Sequence, residues 1–151
     1  MPPTRAQLLQ TAQTFITNFN DPNPDKIVEN RTPNCVHEIR PDFGLARKST
    51  NAEYLNWWKT NTLAIMPKGM HLSIDSTEPV IDEQSRRVVL YVKSKAESLV
   101  GLYENTYVWD LRITEDGGLV EYILEFVDSK TVADFGARVA AAQGGEANPW
   151  K

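Results

Sequence analysis

Apolar residues recur at helical spacing near the start of the chain, where Leu8, Leu9, Ala12, Phe15, Ile16 and Phe19 fall on one side of a helix. Thr4 with Gln7 three residues on makes a capping-box pattern, so a first helix is expected from Arg5 to about Asn20. Asn20, Asp21 and Pro22 break it, and Asn23 with Pro24 starts a short helix ending near Glu29. Residues 31–34 lead into a strand, Cys35 to Arg40, closed by Pro41. After a loop through Phe43 and Gly44, Thr50 and Glu53 repeat the capping pattern. Leu55, Trp58, Thr62 and Ile65 then trace one face of a helix that Pro67 stops.

From His71 the period changes to two. Strands are expected from His71 to about Ile81, Arg87 to about Ala96, Gly101 to Thr114 and Gly118 to Val127, with turns at 82–85, 97–98 and 116–117. Val132, Phe135, Gly136, Val139 and Ala140 return to helical spacing from Ser129 to about Gln143. Gly144 and Gly145 stop that helix, and a loose tail to Lys151 is expected. Helices gathered on one face of a curved antiparallel sheet make an α+β domain with a cavity between sheet and helices. A single domain over residues 1–151 is expected.

One strand does not read as core. Tyr103, Asn105, Tyr107, Trp109 and Leu111 share a face, and buried phenol, amide and indole groups need partners, so this row suits a polar cavity. The hairpin that follows decides whether Glu125 joins it. A three-residue loop with left-handed Gly117 sets Tyr107 opposite Glu125 and Trp109 opposite Ile123, whereas a two-residue loop sends Glu125 to the far face. The longer loop keeps the polar groups together and is favoured.

Composition narrows the partners. The chain has 151 residues, 41% of them hydrophobic, which suffices for a core. Net charge is −4 and the 16 Lys and Arg are scattered, which argues against nucleic acid or an anionic membrane. Cys35 alone excludes an intrachain disulfide and fits a reducing compartment, and the polar start reads as no signal peptide, so a cytoplasmic protein is expected. With His37, His71 and one Cys, no metal-ligand spacing exists. No Gly-rich phosphate loop is present either, so neither metal nor cofactor is expected.

The opening helix 7–15, the stretch Arg31 to Glu38, and above all Tyr103 to Trp109 followed by Leu124 to Asp128 resemble the nuclear-transport-factor-2-like superfamily. Within it the chain is similar to the SnoaL-like fungal natural-product isomerases, both those acting on meroterpenoids and those directing semipinacol rearrangement of prenylated indole alkaloids. The resemblance implies a cone-shaped fold and places an Arg, two Tyr and a Glu of that subgroup on Arg40, Tyr103, Tyr107 and Glu125. Residues 40–44 and the Trp57-Trp58 pair depart from relatives, so a different pocket wall, and with it a different substrate, is expected.

On this reading Glu125 is the general base, with burial raising its proton affinity and Arg40 opposing. Tyr103 and Tyr107, roughly 13 Å apart along the strand, grip different parts of one polycyclic substrate and stabilise developing negative charge. Asn105, Trp109, His37 and Trp57 complete the substrate wall. Strict alternation sets His37 and Arg40 on opposite faces, and both reach the cavity only through a bulge or the bend before Pro41. A Cys35–His37 nucleophile pair lacks an orienting group. An aldol cyclase or dehydratase would use the same residues, while a non-catalytic carrier would leave Glu125 in solvent. The opposite sheet face, with Val89, Tyr91, Val108, Tyr122, Leu124 and Phe126, is expected to form a homodimer.

Overall fold

The computed structural model describes residues 1–44 and 47–144; the expected loose tail beyond Gly144 lies outside them. Helix α1 (Arg5–Phe19) leads through a 3₁₀ turn (Pro24–Val28) to strands β1 (Arg31–Arg40) and β2 (Arg47–Ser49). Helix α2 (Asn51–Trp57) continues through a π-helical turn (Trp58–Thr62) into α3 (Leu63–Ile65). Strands β3 (His71–Ile74), β4 (Val80–Asp82), β5 (Arg87–Ser98), β6 (Gly101–Ile113) and β7 (Val120–Val127) follow, then helix α4 (Ser129–Ala142).

Both capping boxes form. Thr4 Oγ1 accepts from the Gln7 amide and Gln7 Oε1 from that of Thr4, and Thr50 and Glu53 do the same. Each cap is worth about 1 kcal/mol, enough to fix where these helices begin. The sheet runs β2-β1-β7-β6-β5-β3, with β4 also paired to β5. The α+β fold is as expected, with one difference: β1 lies parallel to β7, so the sheet is mixed. The single strand expected from His71 to Ile81 is two, β3 and β4, which both pair with β5.

The β6–β7 hairpin determines the cavity. Its loop is longer than three residues, closed by the Thr114 amide on Leu119 O and by Leu119 N on Thr114 Oγ1, so that Ile113 pairs with Val120. One extra residue in the loop would turn β7 over. A bulge at Glu121, between the Ile113–Val120 and Arg112–Tyr122 pairs, adds a second residue and turns it back. Glu125 therefore keeps its inward direction but pairs with Trp109, two positions from Tyr107, which faces Val127.

The concave face closes on α1, α2 and α4. Phe15 and Phe19 meet Trp109 edge-on at centroid distances of 5.0 and 5.3 Å, and Phe19 meets Trp58 at 5.5 Å. Such pairs each contribute about 0.5–1.5 kcal/mol beyond burial, so this aromatic cluster is a rigid cavity wall. Among the described residues no helix is long and apolar enough to cross a membrane.

Candidate active site

Alternation along β1 decides between two candidates. Cys35, His37 and Ile39 point inward and are buried, while Arg40 points outward. Arg40 is a correction to the expected site: its side chain is 54% exposed and its Nε donates to Glu38 Oε1 at 2.8 Å on the outer face. No bulge falls between His37 and Arg40, where the pairing with β7 is continuous.

The inner cation is Arg31 instead. The register between β1 and β7 slips between Arg31 and Val36, which leaves the Arg31 side chain buried beneath α1 and α2. Its guanidinium lies 5.2 Å from the Phe15 ring centre and 5.1 Å from that of Tyr54. Nε donates to Ile27 O at 3.1 Å, and Nη1 lies 3.3 Å from His37 Nδ1. Arginine can only donate, so His37 Nδ1 accepts and the ring proton sits on Nε2. That proton is given to Glu125 Oε1 at 2.8 Å. Tyr54 stacks on the imidazole at 4.1 Å and fixes its plane. The result is a buried line, Arg31–His37–Glu125, ending at a carboxyl on the cavity surface.

Burial pushes the Glu125 carboxyl up to about 8, with the Arg31 charge opposing. Burial, then the Arg31 charge, holds His37 well below its ordinary value, so the imidazole is neutral. The acid thus stands close to the point where it can both take and return a proton at neutral pH. Cys35 is buried and its thiol is raised to about 11, chiefly by burial, which removes it as a nucleophile.

The two phenols converge. Tyr103 and Tyr107 were expected to act apart; on a concave sheet their hydroxyls come within reach of one another, and each affects the other's ionisation. Tyr107 Oη lies 2.7 Å from Ser94 Oγ, and the Tyr103 hydroxyl accepts from Asn105 Nδ2 at 2.7 Å. Burial raises both phenols above their ordinary range, so both remain neutral donors.

The cavity is lined by Glu125, Tyr103, Tyr107, Trp109, Trp58 and Met70 among others, and its free volume is about 50 Å³. Trp109 Nε1 is buried with no hydrogen-bond partner among the described residues. Trp57 is half-buried on the rim, beneath the Arg47 guanidinium at 4.8 Å. His37 and Asn105, expected on the substrate wall, stand behind it and support Glu125 and Tyr103. Among the described residues no three His, Cys, Asp or Glu are grouped to share a metal ion.

No protein-family model matches the sequence. It is 34% identical over 142 residues to austinoid biosynthesis cluster protein H of Aspergillus calidoustus, covering 93% of this chain and 96% of that protein. The fold matches the crystal structure of the BvnE pinacolase from Penicillium brevicompactum with a TM-score of 0.87 at 34% identity, over 93% of this chain and 99% of that one. AusH from Aspergillus nidulans gives a TM-score of 0.78 at 35% identity, over 85% and 88% of the two chains.

Proposed function

The chain belongs to the SnoaL-like fungal family of the nuclear-transport-factor-2-like superfamily, and from that premise we propose a cofactor-independent isomerase that rearranges a polycyclic secondary metabolite by acid-base chemistry. The observation that carries this reading is the buried, inward-facing Glu125, held by His37 Nε2–H opposite two neutral phenols. In its ionised form Glu125 takes a proton from a carbon beside a carbonyl, or from a hydroxyl that collapses to a ketone as a carbon–carbon bond migrates. Tyr107 and Tyr103 donate to the oxygen on which charge develops, and Trp109 Nε1–H is a further free donor to the same substrate. The proton is returned elsewhere on the substrate, so atoms are conserved. Arg31 is a positioning residue, fixing the His37 tautomer and favouring the carboxylate.

The substrate of this reading is a meroterpenoid or a prenylated indole alkaloid; an austinoid-cluster protein and a pinacolase among the relatives support a rearrangement in secondary metabolism. The carrier alternative requires Glu125 in solvent, and that side chain is buried. The test is mass balance. Deleting the gene in its host should accumulate a metabolite with the same molecular mass as the lost product, restored by the wild-type gene and not by Glu125→Gln. A mass difference of one water points to a dehydratase and overturns the isomerase.

The same reading includes a homodimer through the outer sheet face. Tyr91, Val108 and Phe126 are direct cross-strand neighbours on β5, β6 and β7, with Phe126 51% exposed, and they make a continuous apolar row. Light scattering of wild type and Phe126→Glu should give a dimer and a monomer; two monomers remove the assembly.

A further inference from the structure

The inner cavity, with about 50 Å³ free, has room for a few waters and is too small for a polycyclic molecule. Beside it lies a groove of about 450 Å³, between residues 20–24 and the turn 67–71, with Ile27 and Leu63 at its base. Three side chains line both spaces: Phe19, Trp58 and Met70. Phe19 and Trp58 are locked in the aromatic cluster, whereas Met70 is half-buried, unbranched and adaptable.

Met70 is also a hydrogen-bond partner. Its Sδ lies 3.5 Å from Tyr107 Oη. A thioether only accepts, so this contact is made when Ser94 Oγ–H, at 2.7 Å, donates to the phenol oxygen and leaves the single Tyr107 proton for sulfur; the opposite sense of the Ser94–Tyr107 bond leaves the sulfur without that proton. The walls around Met70 are tied down. Asn20 exchanges hydrogen bonds with Leu72 N and O at 2.7 and 2.8 Å, and the turn before Met70 is closed by Gly69 N on Met66 O at 2.8 Å, with Gly69 in the left-handed region at φ 75°. The movable part is therefore the methionine side chain.

We propose that Met70 is a displaceable plug whose sulfur stands in for the substrate's oxygen on Tyr107, and that its withdrawal joins cavity and groove into one site spanned by a polycyclic ketone or alcohol. The leading oxygen takes the Tyr107 proton from a weak acceptor, the reacting end meets Glu125, and the rest of the ring system lies in the groove against Pro22, Pro24, Ile27 and Leu63. Ser94 is the positioning residue that turns the phenol proton inward. Met70 then governs which substrates enter.

The inference rests on the cavity being the substrate site, as proposed above, and its test does not require turnover. Equilenin, a fluorescent tetracyclic ketone, serves as probe. Met70→Ala should bind it at least about tenfold more tightly than wild type, and Met70→Phe at least about tenfold more weakly, the equivalent of about 1.4 kcal/mol each way. Tyr107→Phe added to Met70→Ala should cancel most of the gain. Met70→Leu, which keeps the volume, should stay within about threefold of wild type and serves if the alanine variant misfolds; a larger gain in Met70→Leu contradicts the plug. Equal affinities throughout, or no binding by any variant, overturn the proposal. An active Glu125→Gln enzyme beside a graded Met70 series would sink the acid-base reading alone, and an inactive one beside a flat series would sink the plug alone.

Discussion

Replacing Glu125 by Gln isolates the carboxyl's ionisation, because the amide still offers an oxygen to His37 Nε2–H but cannot titrate. In the folded protein the carboxyl keeps its proton to about pH 8; in the unfolded chain it ionises near the ordinary glutamate value of about 4.3. Between those values the folded state binds one more proton, so stability falls as pH rises, by about 1.4 kcal/mol per pH unit. The contribution is whole below about pH 4 and gone once pH has passed through the folded value of about 8. From about pH 5 to about pH 7 the loss is about 3 kcal/mol, and Glu125→Gln escapes it. Urea melts of both proteins across this range should show the variant gaining about 3 kcal/mol relative to wild type, with the difference levelling off above about pH 8. Parallel stability curves would refute the reasoning, since Glu125 would then titrate alike folded and unfolded. With a substrate in hand, kcat/KM of the wild type should climb towards about pH 8 and that of Glu125→Gln should be about 10²- to 10⁴-fold lower.

Arg31→Met removes the charge that opposes the burial of Glu125, so the midpoint of the rate–pH profile should move upward from about 8; an unmoved midpoint would uncouple Arg31 from the acid. Tyr107→Phe should lower kcat by about a hundredfold, the loss expected of one charge-stabilising donor, in single-turnover assays. Arg40→Ala, by contrast, breaks only an outer pair with Glu38 and should change stability by less than about 1 kcal/mol and leave the rate alone.

Much of this was legible before the structure. The capping pairs Thr4–Gln7 and Thr50–Glu53 mark helix starts through local chemistry, and the polar row on β6 betrays a cavity because phenol and amide groups need partners wherever they are buried. Alternation along β1 correctly set His37 and Arg40 on opposite faces, but resemblance favoured the wrong one of the two for the inner side. Arg31 was missed because an irregularity between parallel strands, set by tertiary pairing, has no local sequence period. Its only trace is an Arg followed two residues later by Pro33, which interrupts regular strand pairing. Likewise, the convergence of Tyr103 with Tyr107 depends on sheet curvature, which distance along a strand cannot convey.

The bulge at Glu121 has a bearing on how this enzyme family can vary. Loop and bulge each contribute an odd residue, and together they keep Glu125 indoors. Deleting Glu121 alone, with the Ile113–Val120 pair kept, would put Phe126 where Glu125 stands and drive an aromatic group into the cavity. Loss of the bulge is therefore tolerable only with a compensating change of one loop residue, and single and paired deletions should separate into dead and functional variants.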